Sequence, residues 1–213
     1  MKNPKTIKAI LFDMDGVLID AREWHYLALN QALEKHGYTI SLAEHEEIYD
    51  GLPTQKKLDM LTQHCGLNPE KHHEINADKQ RYTMDIALQH LSPNINHKEL
   101  LDSLRRDNYR MAVCSNSIRS TIKSFLTQAG IIDYFDFYLS NEDVISPKPN
   151  PEIYTKACTL MNLQPHECLV IEDNEKGVLA AKGAGCHVLK VDSPQEVSCE
   201  NLYSFLGLSI PVF

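Results

Sequence analysis

The chain has 213 residues and a formal net charge of −8, with 21 Lys plus Arg against 29 Asp plus Glu. Hydrophobic residues are 43% and charged residues 23%, a globular balance that excludes disordered and collagen-like classes. Without a cationic surplus to neutralise phosphates a general nucleic-acid binder is excluded, although one lysine and a metal ion can reverse the local sign for a small anionic substrate.

The polar start Met1–Thr6 leads into Ile7–Phe12, an apolar run too short for a signal-peptide core or a membrane span. No later stretch reaches about 18 uninterrupted apolar residues, so a soluble, cytoplasmic protein without a membrane partner is expected. Ile7–Phe12 is the first of five β-rich runs; the others are Arg110–Ser115, Phe135–Ser140, Cys168–Ile171 and His187–Val191. Their nearly continuous apolar character suits parallel strands buried on both faces. From Asp20 to about Leu91 only helical patterns occur. Trp24, Leu27, Ala28, Gln31 and Ala32 share one face; Pro53 opens a second helix with Leu58, Leu61 and Cys65; Ile75, Tyr82, Ile86 and Leu88 to Leu91 mark a third. This is far longer than a crossover of a dozen or more residues and reads as a helical insertion. Asn96 with Glu99 resembles a capping box for a helix through Leu104. Ser117–Ala129 is helical with Gly130 at its end, Asn150–Pro151 opens another helix, and Ser193–Pro194 with Glu196 repeats that signature. Residues from Leu202 on form a last helix and the apolar tail Ile210–Phe213. Alternating strands and helices predict an α/β fold, a Rossmann-like parallel sheet over 1–19 and 92–213, with an inserted helical cap over 20–91. Such an insertion just past a strand's C-terminal end stands where open α/β sheets bind ligands, with crossings near Ile19–Ala21 and Leu91–Pro93 as a hinge.

Six cysteines, at 65, 114, 158, 168, 186 and 199, include no C-x-x-C pair, and are read as reduced, mostly buried small apolar residues. The chemistry gathers at strand ends. The first run ends in Asp13-Met-Asp15-Gly16, the second in Cys114-Ser115-Asn116, and the fourth in Glu172-Asp173-Asn174; Lys148 follows the third in a proline-rich loop. A parallel sheet brings these ends to one edge, where four carboxylates, a hydroxyl and a lysine call for a hard cation with oxygen ligands, Mg²⁺ being the expected one. Taken singly, each motif has a bland alternative: turn residues for Asp13–Gly16, a strand cap for Ser115, a surface lysine for Lys148.

Together, DMDGVLID, CSNS, KPNPEIY and IEDN followed by GVLAAKGAG resemble motifs one to four of the haloacid dehalogenase-like hydrolase superfamily. The insertion is similar to the cap of the branch holding β-phosphoglucomutase and phosphoglycolate-type phosphatases. That resemblance implies an enzyme with Asp13 as nucleophile forming an aspartyl-phosphate, Asp15 as acid and base, and Mg²⁺ held by Asp13, the Asp15 carbonyl and Asp173, with Glu172 a direct or a water-mediated ligand. It also implies that the Ser115 hydroxyl and the Asn116 N–H meet the phosphoryl group, whose charge Lys148 neutralises. An acidic residue at 15 favours an oxygen leaving group over halide. Specificity is expected from the insertion: His25 stands where the mutase has a histidine that delivers protons, and Gly51-Leu52-Pro53-Thr54 looks like the loop that closes over the site. Trp24 is read as core of the insertion, Lys56 and Lys57 as a solvated helix face, and His72–His73 as surface. The leading expectation is a Mg²⁺-dependent phosphatase acting on a small phosphorylated metabolite, a sugar or polyol phosphate, and working as a monomer or weak homo-oligomer. Ala21, where the mutase hinge is polar, weighs against the alternative, a phosphomutase; a non-catalytic binding module is the remote third reading.

Overall fold

The computed structural model describes residues 7–211; the predicted Val212–Phe213 end of the apolar tail lies outside them. In chain order the elements are β1 (Ala9–Phe12), α1 (Arg22–Glu34), α2 (Leu42–Glu44) running into a π-helical turn His45–Tyr49, α3 (Thr54–Cys65), α4 (His72–His90), α5 (Ile95–Arg106), β2 (Arg110–Cys114), α6 (Arg119–Gln128), β3 (Phe137–Leu139), α7 (Glu152–Leu160), β4 (Cys168–Glu172), α8 (Glu175–Ala184), β5 (His187–Lys190) and α9 (Cys199–Leu206). All five predicted strands form, and every pairing is parallel, in the order β3-β2-β1-β4-β5. Phe12 pairs with both Val113 and Ile171, so the residues that follow β1, β2 and β4 leave the same edge side by side.

The chain divides into two compact units, residues 1–20 with 92–213, and residues 21–91. In the first, β1 is wholly buried, as its unbroken apolar run requires. Leu11, Ala112 and Val170 of the sheet share a core with Ile153, Tyr154 and Ala157 of α7 and Ala180 and Ala181 of α8. All six cysteines are free; Cys114, Cys158, Cys168 and Cys186 are buried in this core, with Cys158 Sγ 3.6 Å from Cys168 Sγ and 3.7 Å from Cys186 Sγ. In the second unit α1 packs on α4, and Leu29, Leu33, Leu58, Leu61 and Ile75 form a separate core.

Several local expectations shift. The cap of α5 is Asn94, whose side chain accepts from the N–H groups of Asn96 and His97, rather than Asn96 itself. Asn150 does cap, accepting from Glu152 N–H, but α7 begins one residue later than its proline suggested. Ser193–Glu196 yields only a short 3₁₀ turn, and Ser198 caps α9 instead. The buried stripe of α1 is Ala28, Leu29, Ala32 and Leu33, while Leu27 faces solvent, because one turn places Leu29 and Leu33 on the side facing the other helices. Cys65 and Leu88 are exposed, and Trp24 is only half-buried, its ring 6.5 Å from that of His90. Two further readings are corrected. Lys57 is buried, its Nζ 3.3 Å from His45 Nε2. His72 is buried as well, with Thr62 Oγ1 2.8 Å from Nε2 and Gln55 Nε2 3.1 Å from Nδ1. Both were placed on solvated faces because polar type alone does not reveal a partner across the helix pair.

Candidate active site

The loop after β1 is tied to its own strand. Met14 O accepts from the N–H groups of Val17, Leu18 and Ile19, and Gly16 N–H donates to Ile19 O at 2.7 Å. Gly16 takes φ +86°, and a Cβ there would lie 2.1 Å from Asp173 Oδ2. The second glycine motif has the same logic: a Cβ on Gly177 would lie 1.7 Å from Glu172 Oε1. Each of these glycines makes room for one carboxylate.

At the centre is a buried ammonium. Lys148 Nζ donates to Asp13 Oδ1 at 2.6 Å, to Glu172 Oε1 at 2.6 Å and to Cys114 O at 2.8 Å. It also sits 4.9 Å from the ring centre of Tyr154, whose hydroxyl donates to Glu172 Oε1 at 2.9 Å. The other oxygen of Glu172 accepts from the N–H groups of Asp173 and Asn174, at 3.1 and 3.2 Å. Both Glu172 oxygens therefore carry two protein donors each. Oxygens of Asp13, Glu172 and Asp173 lie within 4.8 Å of one another. Asp15 turns toward the end of β2: its Oδ2 accepts from Ser117 Oγ at 2.7 Å and lies 3.4 Å from Ser115 Oγ. Ser115 Oγ in turn accepts from Ser117 N–H at 3.0 Å.

Burial pushes the Asp13 carboxyl well above its ordinary range; Lys148 pulls it down, while Glu172, Asp173 and Asp15 push it up again. Burial disfavours the Lys148 ammonium, but Asp13 and Glu172 hold it firmly charged. The Tyr154 hydroxyl stays protonated through burial and the adjacent Glu172. The carboxyl groups of Asp13, Glu172 and Asp173 thus converge beside the Lys148 ammonium, an arrangement that a divalent cation would stabilise. The residues fit one: the donor set is hard oxygen throughout, with no thiolate or imidazole in it, as a divalent ion such as Mg²⁺ prefers.

Within the α/β unit the structure brings together Asp13, Asp15, Ser115, Lys148, Glu172 and Asp173. Asn116 joins them through Lys148, its side chain bonded to the Lys148 backbone. His25, Gly51 and Thr54 belong to the helical unit. There His25 Nδ1 lies 3.0 Å from Nζ of the buried Lys79, Gly51 takes φ +71°, and Thr54 opens α3. Sequence reasoning missed Tyr154, Ser117 and Lys79. Tyr154 and Ser117 stood inside the quoted motifs KPNPEIY and CSNS, which was the available signal; Lys79 had none.

Comparison with known proteins agrees with this geometry. The sequence profile of the haloacid dehalogenase-like hydrolase family matches residues 10–191. The chain belongs to that family and is an enzyme of its class. It is 30% identical over 187 residues to a phosphoglycolate phosphatase of Vibrio vulnificus, covering 84% of this chain and 81% of that protein. It is 29% identical over 197 residues to a β-phosphoglucomutase of Bacillus subtilis, covering 89% and 85%. Among solved structures, a β-phosphoglucomutase from Clostridium difficile shares the fold with a TM-score of 0.82 at 24% identity, over 94% of this chain and 97% of that one.

Proposed function

We propose that the protein is a Mg²⁺-dependent phosphatase that hydrolyses a small phosphorylated metabolite, a sugar or polyol phosphate, through an aspartyl-phosphate on Asp13. The observation that carries this reading is the Asp13 carboxylate, buried at the end of β1 against Lys148 and beside the carboxylates of Glu172 and Asp173. A dianionic ester repels an anionic nucleophile, so attack requires charge compensation at the phosphoryl oxygens. Lys148 supplies one positive charge there. Mg²⁺, when bound, neutralises phosphoryl charge and orients the ester. Asp13, Asp173 and the Asp15 carbonyl would hold it; Glu172, whose oxygens already accept four protein hydrogen bonds, would act through water.

Asp13 attacks phosphorus. Asp15 gives its proton to the departing alkoxide and later takes one from the attacking water. Ser115 Oγ, with the Asn116 N–H, donates to the phosphoryl oxygens. The 21–91 insertion follows directly on the loop carrying both aspartates, and is the cap that selects the leaving group, with His25, Gly51 and Thr54 as its substrate contacts. A phosphomutase is the second reading, favoured by the β-phosphoglucomutase relative, at 29% identity against 30% for the Vibrio vulnificus phosphatase, and by the His25–Lys79 pair. Ala21, fully buried at the start of α1, favours hydrolysis. The test is p-nitrophenyl phosphate turnover with and without Mg²⁺. Asp13→Asn, nearly isosteric, should abolish metal-dependent turnover and leave the melting temperature close to that of the parent. Full activity of Asp13→Asn would remove the nucleophile assignment, and conversion of a sugar 1-phosphate to its 6-phosphate without released phosphate would establish the mutase instead.

A further inference from the structure

We propose that the side chain of Asn116 is a positioning residue for Lys148, acting on the lysine backbone rather than on the substrate; this rests on the proposed role of Lys148. The Asn116 carboxamide makes a two-way bond with one residue: Oδ1 accepts from Lys148 N–H at 3.1 Å, and Nδ2 donates to Lys148 O at 3.2 Å. The neighbours explain why that bond is needed. Lys148 lies between Pro147 and Pro149, and proline has no N–H. The Lys148 N–H is therefore the single backbone donor of this three-residue run, and Asn116 takes it.

The last residue of β2 holds the other end of the lysine. Cys114 O accepts from Nζ at 2.8 Å, two residues before Asn116. Root and tip of a side chain with four rotatable bonds are thus referred to one rigid strand end, which is itself paired to β1 and β3. A third tie secures the loop upstream, where Glu152 accepts from Ile145 and Ser146 N–H at 2.8 and 2.9 Å. Without the amide the Pro-Lys-Pro run keeps its restricted φ angles but loses the Asn116 hold on the Lys148 backbone, and the contacts of Nζ must carry the position of the side chain. Nζ then no longer returns reproducibly to 2.6 Å from Asp13. A misplacement on the order of 1 Å costs roughly 100-fold in rate.

Two measurements test this. Backbone exchange at the Lys148 amide, followed by NMR on the intact protein, should speed up on the order of tenfold or more in Asn116→Ala, while β1 and β4 amides keep their protection. Asn116→Asp retains the shape and the acceptor for Lys148 N–H but sets a second acceptor against Lys148 O, so Lys148 protection should fall between that of the parent and that of Asn116→Ala, while unchanged β1 and β4 protection separates loss of the clamp from a general loosening of the fold. In a double-mutant cycle Asn116→Ala should lower kcat/KM roughly 10–100-fold in the parent, and by less than about twofold in a Lys148→Met background. Unchanged Lys148 exchange in Asn116→Ala overturns the clamp. An equal loss in both backgrounds overturns its route through Lys148 and puts the carboxamide on the phosphate itself. Should the parent hydrolyse no ester, the functional reading is lost, and the exchange result alone still decides whether the clamp exists.

Discussion

The two units bury lysines in opposite company. In the α/β unit Lys148 meets carboxylates, Asp13 and Glu172, each at 2.6 Å. In the helical unit Lys79 and Lys57 meet imidazoles, at His25 Nδ1 and His45 Nε2. An ammonium only donates, so the imidazole nitrogen facing it must be the accepting one, which places the His25 proton on Nε2 and the His45 proton on Nδ1. The first arrangement fixes opposite charges in a set geometry, and losing one partner strands the others. The second sets each ammonium against an imidazole nitrogen, at 3.0 and 3.3 Å.

Lys148→Met is the sharpest way to break this contrast. It leaves two buried carboxylates without their counter-charge and should cost about 3–5 kcal/mol of stability without metal, read by denaturant titration. Added Mg²⁺ should return part of it, and turnover should be nearly abolished. Gly177→Ala comes next. In an ordinary helix interior that change gains up to about 1 kcal/mol, but here the new methyl meets Glu172 Oε1 at 1.7 Å. A net loss of about 1–3 kcal/mol is expected, together with lower activity, since Glu172 must shift away from Lys148. The helical unit's counterpart, Lys57→Met, should change stability by no more than about 1 kcal/mol, because an apolar residue of similar volume fills the place of the buried lysine. The smallest effect is a pH slope. Burial lowers the His97 pKa from its ordinary 6.5, against the pull of its hydrogen bonds to the Pro194 and Leu18 backbones. The unfolded chain therefore takes up a proton more readily. The His97 contribution is complete above pH 6.5 and is lost as pH falls below that value through the native pKa. Melting temperature should drop over that range, and His97→Gln should flatten the drop.

The α/β unit was more legible than the helical one, for physical reasons. Strands buried on both faces must be apolar throughout, so five short runs announced themselves. The clustered carboxylates stood out because acids directly after apolar strands are costly without a purpose. Ends were read less well: Asn94 and Asn96 are chemically identical candidates for one cap, and only backbone geometry chooses between them. Contacts far apart in sequence were not legible as contacts, even where the residues stood inside a motif. The Ser117 hydroxyl reaching Asp15 spans 102 positions, and the Tyr154 hydroxyl on Glu172 spans 18. In the helical unit, charge argued for solvent at Lys57 and His72, and tertiary partners overrode it.

The sulfur contacts in the sheet core carry a practical consequence. Cys168 opens β4 and Glu172 closes it, so Cys168 is about 13 Å along the same strand from the carboxylate cluster. Cys158, Cys168 and Cys186 are hidden from an alkylating reagent until that sheet parts, whereas Cys65, on the end of α3, is open to it from the start. Labelling kinetics on the unmodified chain would then clock the opening of the sheet against an internal prompt signal, and a phosphate mimic that stabilises the pocket should slow the late phase while leaving the early one alone.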